Sequence, residues 1–358
     1  MSFLETAGPQ NTGESVRGVV NRVIATPNKA LCAAEFVIAD WKVRLRSTCP
    51  NTTEIYSNRL RSRRPNAVTN YAGLTLNLLE TSALGWAPPE SYSDWRGPPG
   101  HFEAIAKEVG LRGVYLQEIE EEGTDPCTIF DPCQQVGVQL VTRFSDLPPW
   151  DVGAPCRILL NLAAVSRGWC LMHAATLSLA NEGVLIVGPG GSGKSGTTLA
   201  GISAGLKSAG DDYVLVCPSD PPTAFRVYNV FKQDRNRLAR IHRIAATNAR
   251  LKTNWKNKVE FDPEDLFPGC MVERVRLHAM LAPKITYTPQ TCLAEIDPQL
   301  VFQQLAPSLW TQLPGAPVSG FRFATWLTRR LPTYSVSLSD RPAEIGDTIA
   351  NFIGGLTK

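Results

Sequence analysis

Residues 188–195, GPGGSGKS, combine glycines, a lysine and a hydroxyl in the order that cradles a chain of phosphates. Gly188, Gly190, Gly191 and Gly193, with Ser192 among them, let successive backbone N–H groups turn toward an anion. Lys194 adds a mobile point charge suited to the outer phosphates. The hydroxyl of Ser195 is a hard oxygen of the kind Mg²⁺ accepts beside substrate phosphates. Gly196 follows. Such a match arises by chance in roughly one or two per cent of chains of this length, so the flanks decide. An apolar run, Val184–Val187, leads in, and a helix-compatible stretch, Thr197–Ala200, leads out. The segment reads as a loop that binds the phosphates of a nucleotide.

Two carboxylates, Asp211 and Asp212, stand at a distance that returns them to this loop. A helix from Gly196 to Ala204 ends naturally at Gly205, which suits a left-handed C′ position. It carries the chain about 13 Å away at 1.5 Å per residue. Leu206–Gly210, as an extended segment, recovers that distance at ~3.3 Å per residue. One carboxylate could then accept the proton of an attacking hydroxyl while the other holds the metal. On a strand, neighbours point to opposite faces, which divides the two jobs between them.

The elements that must position these residues alternate between short strands and helices from Gly168 onward. Strands are predicted at Met172–Leu179, Gly183–Val187, Tyr213–Cys217, Ala224–Val230, Val272–Leu281 and Thr291–Ile296. Helices are predicted at Asp297–Leu305, Gly320–Arg329 and Arg341–Ile353. Several strands follow one another with no room for a crossover helix. The expected fold class is therefore α/β with a mixed sheet, not a wholly parallel one. Residues 1–30 read as a loosely ordered lead-in and 31–150 as a separate α+β region. That region has a strand over Ala33–Ser47, a loop-heavy stretch over 50–100 and a helix near Phe102–Val109. Strands at Gly113–Ile119 and Val136–Phe144 complete it. Residues 151–358, beginning with a buried helix at Cys156–Arg167, form the nucleotide-binding part.

At 358 residues, with 43% hydrophobic and 19% charged residues, the composition is that of a globular chain and excludes a largely disordered one. A net charge of +3 gives no reason to expect nucleic acid. No apolar run approaches the ~20 residues of a membrane span, and the N-terminus lacks the basic start and apolar run of a signal peptide. Nine cysteines without a CxxC pair point to reduced thiols and a cytoplasmic location.

Taken together, Met172-His173-Ala174, the loop with its leading strand and SAGDDYVLV resemble the core of the HPr kinase/phosphorylase family. That family is similar in fold to the phosphoenolpyruvate carboxykinases. His173 precedes Lys194 by 21 positions and Asp211 follows it by 17, as in the family. The resemblance is firm over about residues 170–217, diffuse to about 355 and absent over 1–150. It implies a kinase that transfers the γ-phosphate of ATP to a hydroxyl, with Mg²⁺. Asp211 would be the general base, Asp212 a metal ligand with Ser195, and His173 a neighbour of the transferred phosphate. A core histidine bonded to backbone is the bland reading of His173, and a strand-entry turn that of the aspartates. Gly196 replaces an acid usual in the family, and the downstream Gly/Arg signature of the reverse reaction is missing, which points to the kinase-only relatives. The acceptor would be a serine of a peptide or a small hydroxylated metabolite, and homo-oligomers occur in the family. A P-loop ATPase or nucleotide switch, with Asp220 as a poor stand-in metal ligand, and an ATP-binding scaffold are the alternatives.

Between Lys232 and Lys258 nine cationic side chains face one acid, Asp234. A helix over Arg235–Ile244 would present them as an electropositive rim or merely as a solvated face. Lys232 and Arg235, directly after a strand, are the residues placed to reach phosphate or acceptor.

Overall fold

The computed structural model describes residues 18–26, 31–60, 72–85, 113–116, 127–241, 252–313 and 316–356. The chain divides into two units, Met1–Arg167 with Pro314–Ala316, and Gly168–Leu313 with Pro317–Lys358.

The first unit holds strands β1 (Cys32–Ile38), β2 (Trp41–Ser47), β3 (Ala72–Glu80), β4 (Gly113–Leu116), β5 (Cys127–Asp131) and β6 (Val136–Val141). They form one sheet in the order β1-β2-β3-β6-β5-β4. The single strand expected over Ala33–Ser47 is a hairpin, because Ala39 takes a left-handed turn with φ 53° between β1 and β2. The pairs β2–β3 and β3–β6 are parallel, and the rest antiparallel. Residues 18–25 are helical (α1), which the lead-in reading missed. Val19, Val20 and Val23 of α1 pack against Leu79, Ile129 and Val138. The stretch read as loop-heavy contains α2 (Pro50–Arg59) as well as β3. The buried side of α2 is Thr52, Thr53 and Tyr56, so no apolar stripe announces it. The helix expected near Phe102–Val109 lies outside the described residues. The buried helix α3 (Arg157–Ser166) packs on β5 and β6, so the unit ends at Arg167 rather than near residue 150.

The second unit has strands β7 (Cys170–Met172), β8 (Ala175–Leu179), β9 (Glu182–Ile186), β10 (Val214–Cys217) and β11 (Thr223–Arg226). Beyond them come β12 (Phe231–Asp234), β13 (Lys252–Thr253), β14 (Lys258–Phe261), β15 (Arg274–Thr288), β16 (Cys292–Glu295) and β17 (Thr333–Ser339). Eight of them make a sheet in the order β16-β17-β15-β11-β10-β7, with the antiparallel pair β8–β9 joined to β15 through β9. β15 is parallel to both β9 and β17 while the other pairs are antiparallel, so the sheet is mixed, as expected. β12-β14-β13 form a separate small sheet.

Helices α4 (Lys194–Ser203) and α8 (Pro342–Leu356) pack together over β8 and β9. Leu177, Val184, Ile186, Leu199, Ile202, Ile345, Ile349 and Ile353 fill the layer between them. Each such side chain contributes about 1.5–3 kcal/mol on burial. Gly346 permits the close helix contact, since a Cβ there would stand 2.4 Å from the carbonyl oxygen of Ala200. A short helix α5 (Arg235–Ala239) follows β12, and α6 (Pro298–Thr311) and α7 (Pro317–Arg330) pack on each other. The helix expected over Arg235–Ile244 thus ends at Ala239; His242, Arg243 and Arg250 lie outside the described residues. No helix among the described residues is long and apolar enough to cross a membrane. All nine cysteines are free thiols.

Candidate phosphate-binding site

The glycine-rich loop connects β9 to α4. Gly193 has φ 114°, where L side chains are strained, and a Cβ there would meet Leu338 Cδ1 at 2.5 Å. Only glycine fits on both counts. Lys194, 7% exposed, is more buried than a mobile loop lysine would be. Its ammonium donates to the carbonyl oxygens of Gly188 at 2.6 Å and Pro189 at 3.2 Å, so it spans its own loop. Burial lowers its pKa, against the pull of Asp211 and Asp212.

Helix α4 ends at Ser203, and Gly205 takes the left-handed conformation anticipated for it, with φ 95°. The return segment is extended but joins no long ladder. Single bridges tie Lys207 to Ser178, Ser208 to Met271 and Asp211 to Ala175. The Ala209 N–H also donates to Thr176 Oγ1 at 2.8 Å. These contacts deliver Asp211 beside the loop, close enough to the hydroxyl of Ser195 for that group to favour its charged form. Asp211 is 4% exposed, and its Oδ1 is buried with no hydrogen-bond partner. Burial and the neighbouring Asp212 push its pKa up to about 6.

Asp212 departs from the expectation of opposite faces. Its φ of 116° breaks strand geometry, and both carboxylates line one cleft. Lys232 Nζ donates to Asp212 Oδ2 at 2.8 Å, and His173 Nε2 lies 3.2 Å from Oδ1. Burial alone would raise the Asp212 pKa; Lys232 and His173 overcome it and hold the carboxyl well below the usual range. His173 sits where the strand predicted over Met172–Leu179 breaks into β7 and β8. Its partner is a carboxylate and not the backbone, and its ring lies 5.3 Å from that of Tyr213. Burial lowers its pKa, opposed by Asp212.

One cleft is lined by His173, Gly190, Gly191, Gly193, Lys194, Ser195, Gly196, Asp211, Asp212 and Lys232. Of the residues singled out in the sequence, Gly188, Ser192 and Arg235 do not line it. Gly188 acts through its carbonyl on Lys194, and Arg235 is exposed at the start of α5. Gln233, Arg237 and Lys258 line the cleft too, and had not been identified individually as site residues. The alternation of β12, in which Phe231 and Gln233 are buried, could have drawn attention to Gln233. Lys258 comes from β14, which pairs with β12 across a distance in sequence. The arrangement presents N–H groups, four cations and two carboxylates to one volume. It can hold polyphosphate and offer a proton acceptor beside it.

No protein-family model matches this chain, and no curated protein does. Among solved structures, the Hpr(Ser) kinase/phosphatase from Coxiella burnetii is similar at 14% identity with a TM-score of 0.28. The match covers 52% of this chain and 99% of that one. It is a distant likeness at the level of the fold.

Proposed function

We propose that this chain is an ATP-dependent phosphotransferase that moves a γ-phosphoryl group to the hydroxyl of a peptide serine or a small metabolite. The observation that carries the reading is the return of Asp211 onto Ser195 at the foot of the glycine-rich loop, with one carboxylate oxygen unpartnered. A carboxylate raised toward neutrality and set beside the transferable phosphate suits proton abstraction from an alcohol. Lys194 and the loop amides would bind the β- and γ-phosphates, and Lys232, Arg237 and Lys258 would screen charge at the mouth.

Mg²⁺ fits the donor set in part. Ser195 offers a hard hydroxyl oxygen, whereas Asp212, expected at the metal, already has both oxygens engaged by Lys232 and His173. When bound, the ion would neutralise charge on the phosphates. Asp212 then serves first to hold Lys232 and His173 toward the cleft. The thiols are in keeping with a reducing, cytoplasmic compartment.

Besides the Asp211–Asp212 pair, the ATPase or switch alternative would need an acidic metal ligand in the site at the end of a hydrophobic strand, the place of Asp220 after β10. Asp220 does not line the cleft; it is exposed and accepts from Arg330 Nη2 at 2.6 Å. The decisive experiment offers γ-³²P-ATP with candidate hydroxyl compounds and peptides. Label in an alcohol phosphate ester supports the proposal. Release of free phosphate with every acceptor favours the ATPase, and binding without turnover favours a scaffold.

A further inference from the structure

The ladder between β15 and β17 is regular from Met280↔Thr333 to Ile285↔Leu338, then resumes at Thr288↔Ser339. Thr286 and Tyr287 are left over. Such irregularities re-aim a side chain, and they recur beside functional sites. Tyr287 shows the effect, with a left-handed φ of 53° that is unusual for an aromatic residue, and 68% exposure. No packing need explains so exposed a ring in so costly a conformation.

The ring stands at a second cleft with apolar walls of Ile241, Ile285, Leu338 and Ile345. Gly193, Gly196, Gln233 and Arg237 line this cleft and the phosphate cleft alike, so the two are continuous around the start of α4. Thr197 lines the second cleft and, at 1% exposure, keeps a hydroxyl with no partner. A ligand with one highly charged end and one flat apolar end fits the pair.

The polar groups of the far wall are already engaged. Ser339 Oγ donates to Glu344 and accepts from the Arg341 N–H, and Arg240 Nη2 donates to the Asp340 carbonyl oxygen. Base edges are discriminated strongly where a site is built to hydrogen-bond them, and weakly where the wall is apolar.

We propose that the second cleft is the nucleoside subsite of the phosphate donor, that Tyr287 stacks on the base, and that the base is accepted as a flat heteroaromatic with little regard to its edge. The inference rests on the phosphotransferase reading and extends it, since the donor would then not be confined to ATP.

Calorimetric titration of the full chain with ATP, GTP, CTP and inorganic tripolyphosphate tests it, in wild type, Tyr287→Ala and Tyr287→Phe. The three nucleotides should bind within about tenfold of one another and more tightly than tripolyphosphate. Tyr287→Ala should weaken each nucleotide by about 5- to 150-fold, the worth of one aromatic stacking partner, and leave tripolyphosphate unchanged. Tyr287→Phe should bind like wild type. Because the side chain is exposed, neither substitution threatens the fold, which melting temperatures would verify. Equal binding of ATP and tripolyphosphate, or an unaltered ATP affinity in Tyr287→Ala, overturns the subsite. A preference above a hundredfold for one base overturns the indifference to edges. The phosphotransferase reading fails separately, as nucleotide binding with this pattern but no label transferred to any alcohol.

Discussion

Asp211 and Asp212 adjoin in sequence yet are pushed in opposite directions, one by burial, the other by Lys232 and the hydrogen-bonding His173. On the proposed phosphotransferase reading, their replacement by asparagine should therefore have different effects. Asp211→Asn should slow transfer by roughly 10²–10⁴-fold, the worth of a general base, with ATP affinity nearly intact. Asp212→Asn should release Lys232 and His173 and lower stability by about 1–3 kcal/mol, with weakened nucleotide binding. Single-turnover rates beside nucleotide titrations and thermal melts would compare them; identical behaviour would remove the division of labour. The pH dependence follows from the same contrast. Asp211 titrates near 6 in the folded chain and near 4 when unfolded. Between those values the folded state holds the extra proton, so its contribution to stability falls as pH rises. The low pKa of Asp212 acts with the opposite sign, and only as pH falls through the range below about 4. In metal-free buffer, the melting temperature of Asp211→Asn should gain on wild type from pH 4 to pH 6 and then level off. A constant gap would contradict the assignment.

At the level of elements, Glu344 in the first turn of α8 fastens that helix to the strand ends. Its carboxylate accepts from the Thr291 N–H and Oγ1, each at 2.7 Å, from Ser339 Oγ at 2.5 Å and from Thr348 Oγ1 at 3.2 Å. Glu344→Ala should cost about 2–3 kcal/mol, since charge-assisted bonds to a half-buried carboxylate are lost together; chemical denaturation would measure it. None of these contacts could be read from the sequence, because Thr291 and Glu344 meet only through β16, β17 and α8. What could be read had a local cause. The glycine-rich loop, the helix stop at Gly205 and the return to Asp211 follow from residue geometry over some twenty positions. β17 was legible too, since serines alternating with the buried Val336 and Leu338 are the pattern of a half-buried strand. α2 escaped because few apolar side chains mark its buried face, whereas Val19, Val20 and Val23 of α1 stand at helical spacing and were legible. The left-handed turn at Asp212 was illegible in principle, since aspartate usually avoids that conformation and here is held by Lys232 and His173.

On the scale of the whole molecule, every residue of both clefts lies within the second unit. A fragment spanning Gly168–Lys358 should accordingly bind ATP within about threefold of the full chain, as judged by titration, and a hundredfold loss would show that the first unit takes part in binding. The arrangement of β15 has one more consequence. At Met280 and Leu281 the strand is flanked by β9 on one side and β17 on the other, while seven residues later it ends beyond the irregularity at Tyr287. The two ends of one strand should then exchange their amide hydrogens with solvent on different clocks. The Met280–Ala282 amides open only when the unit unfolds as a whole, whereas those of Thr286 and Tyr287, outside the ladder, open by local fluctuation. The rigid half of the strand anchors the sheet, and the labile half, which borders the nucleoside cleft, can yield without disturbing it.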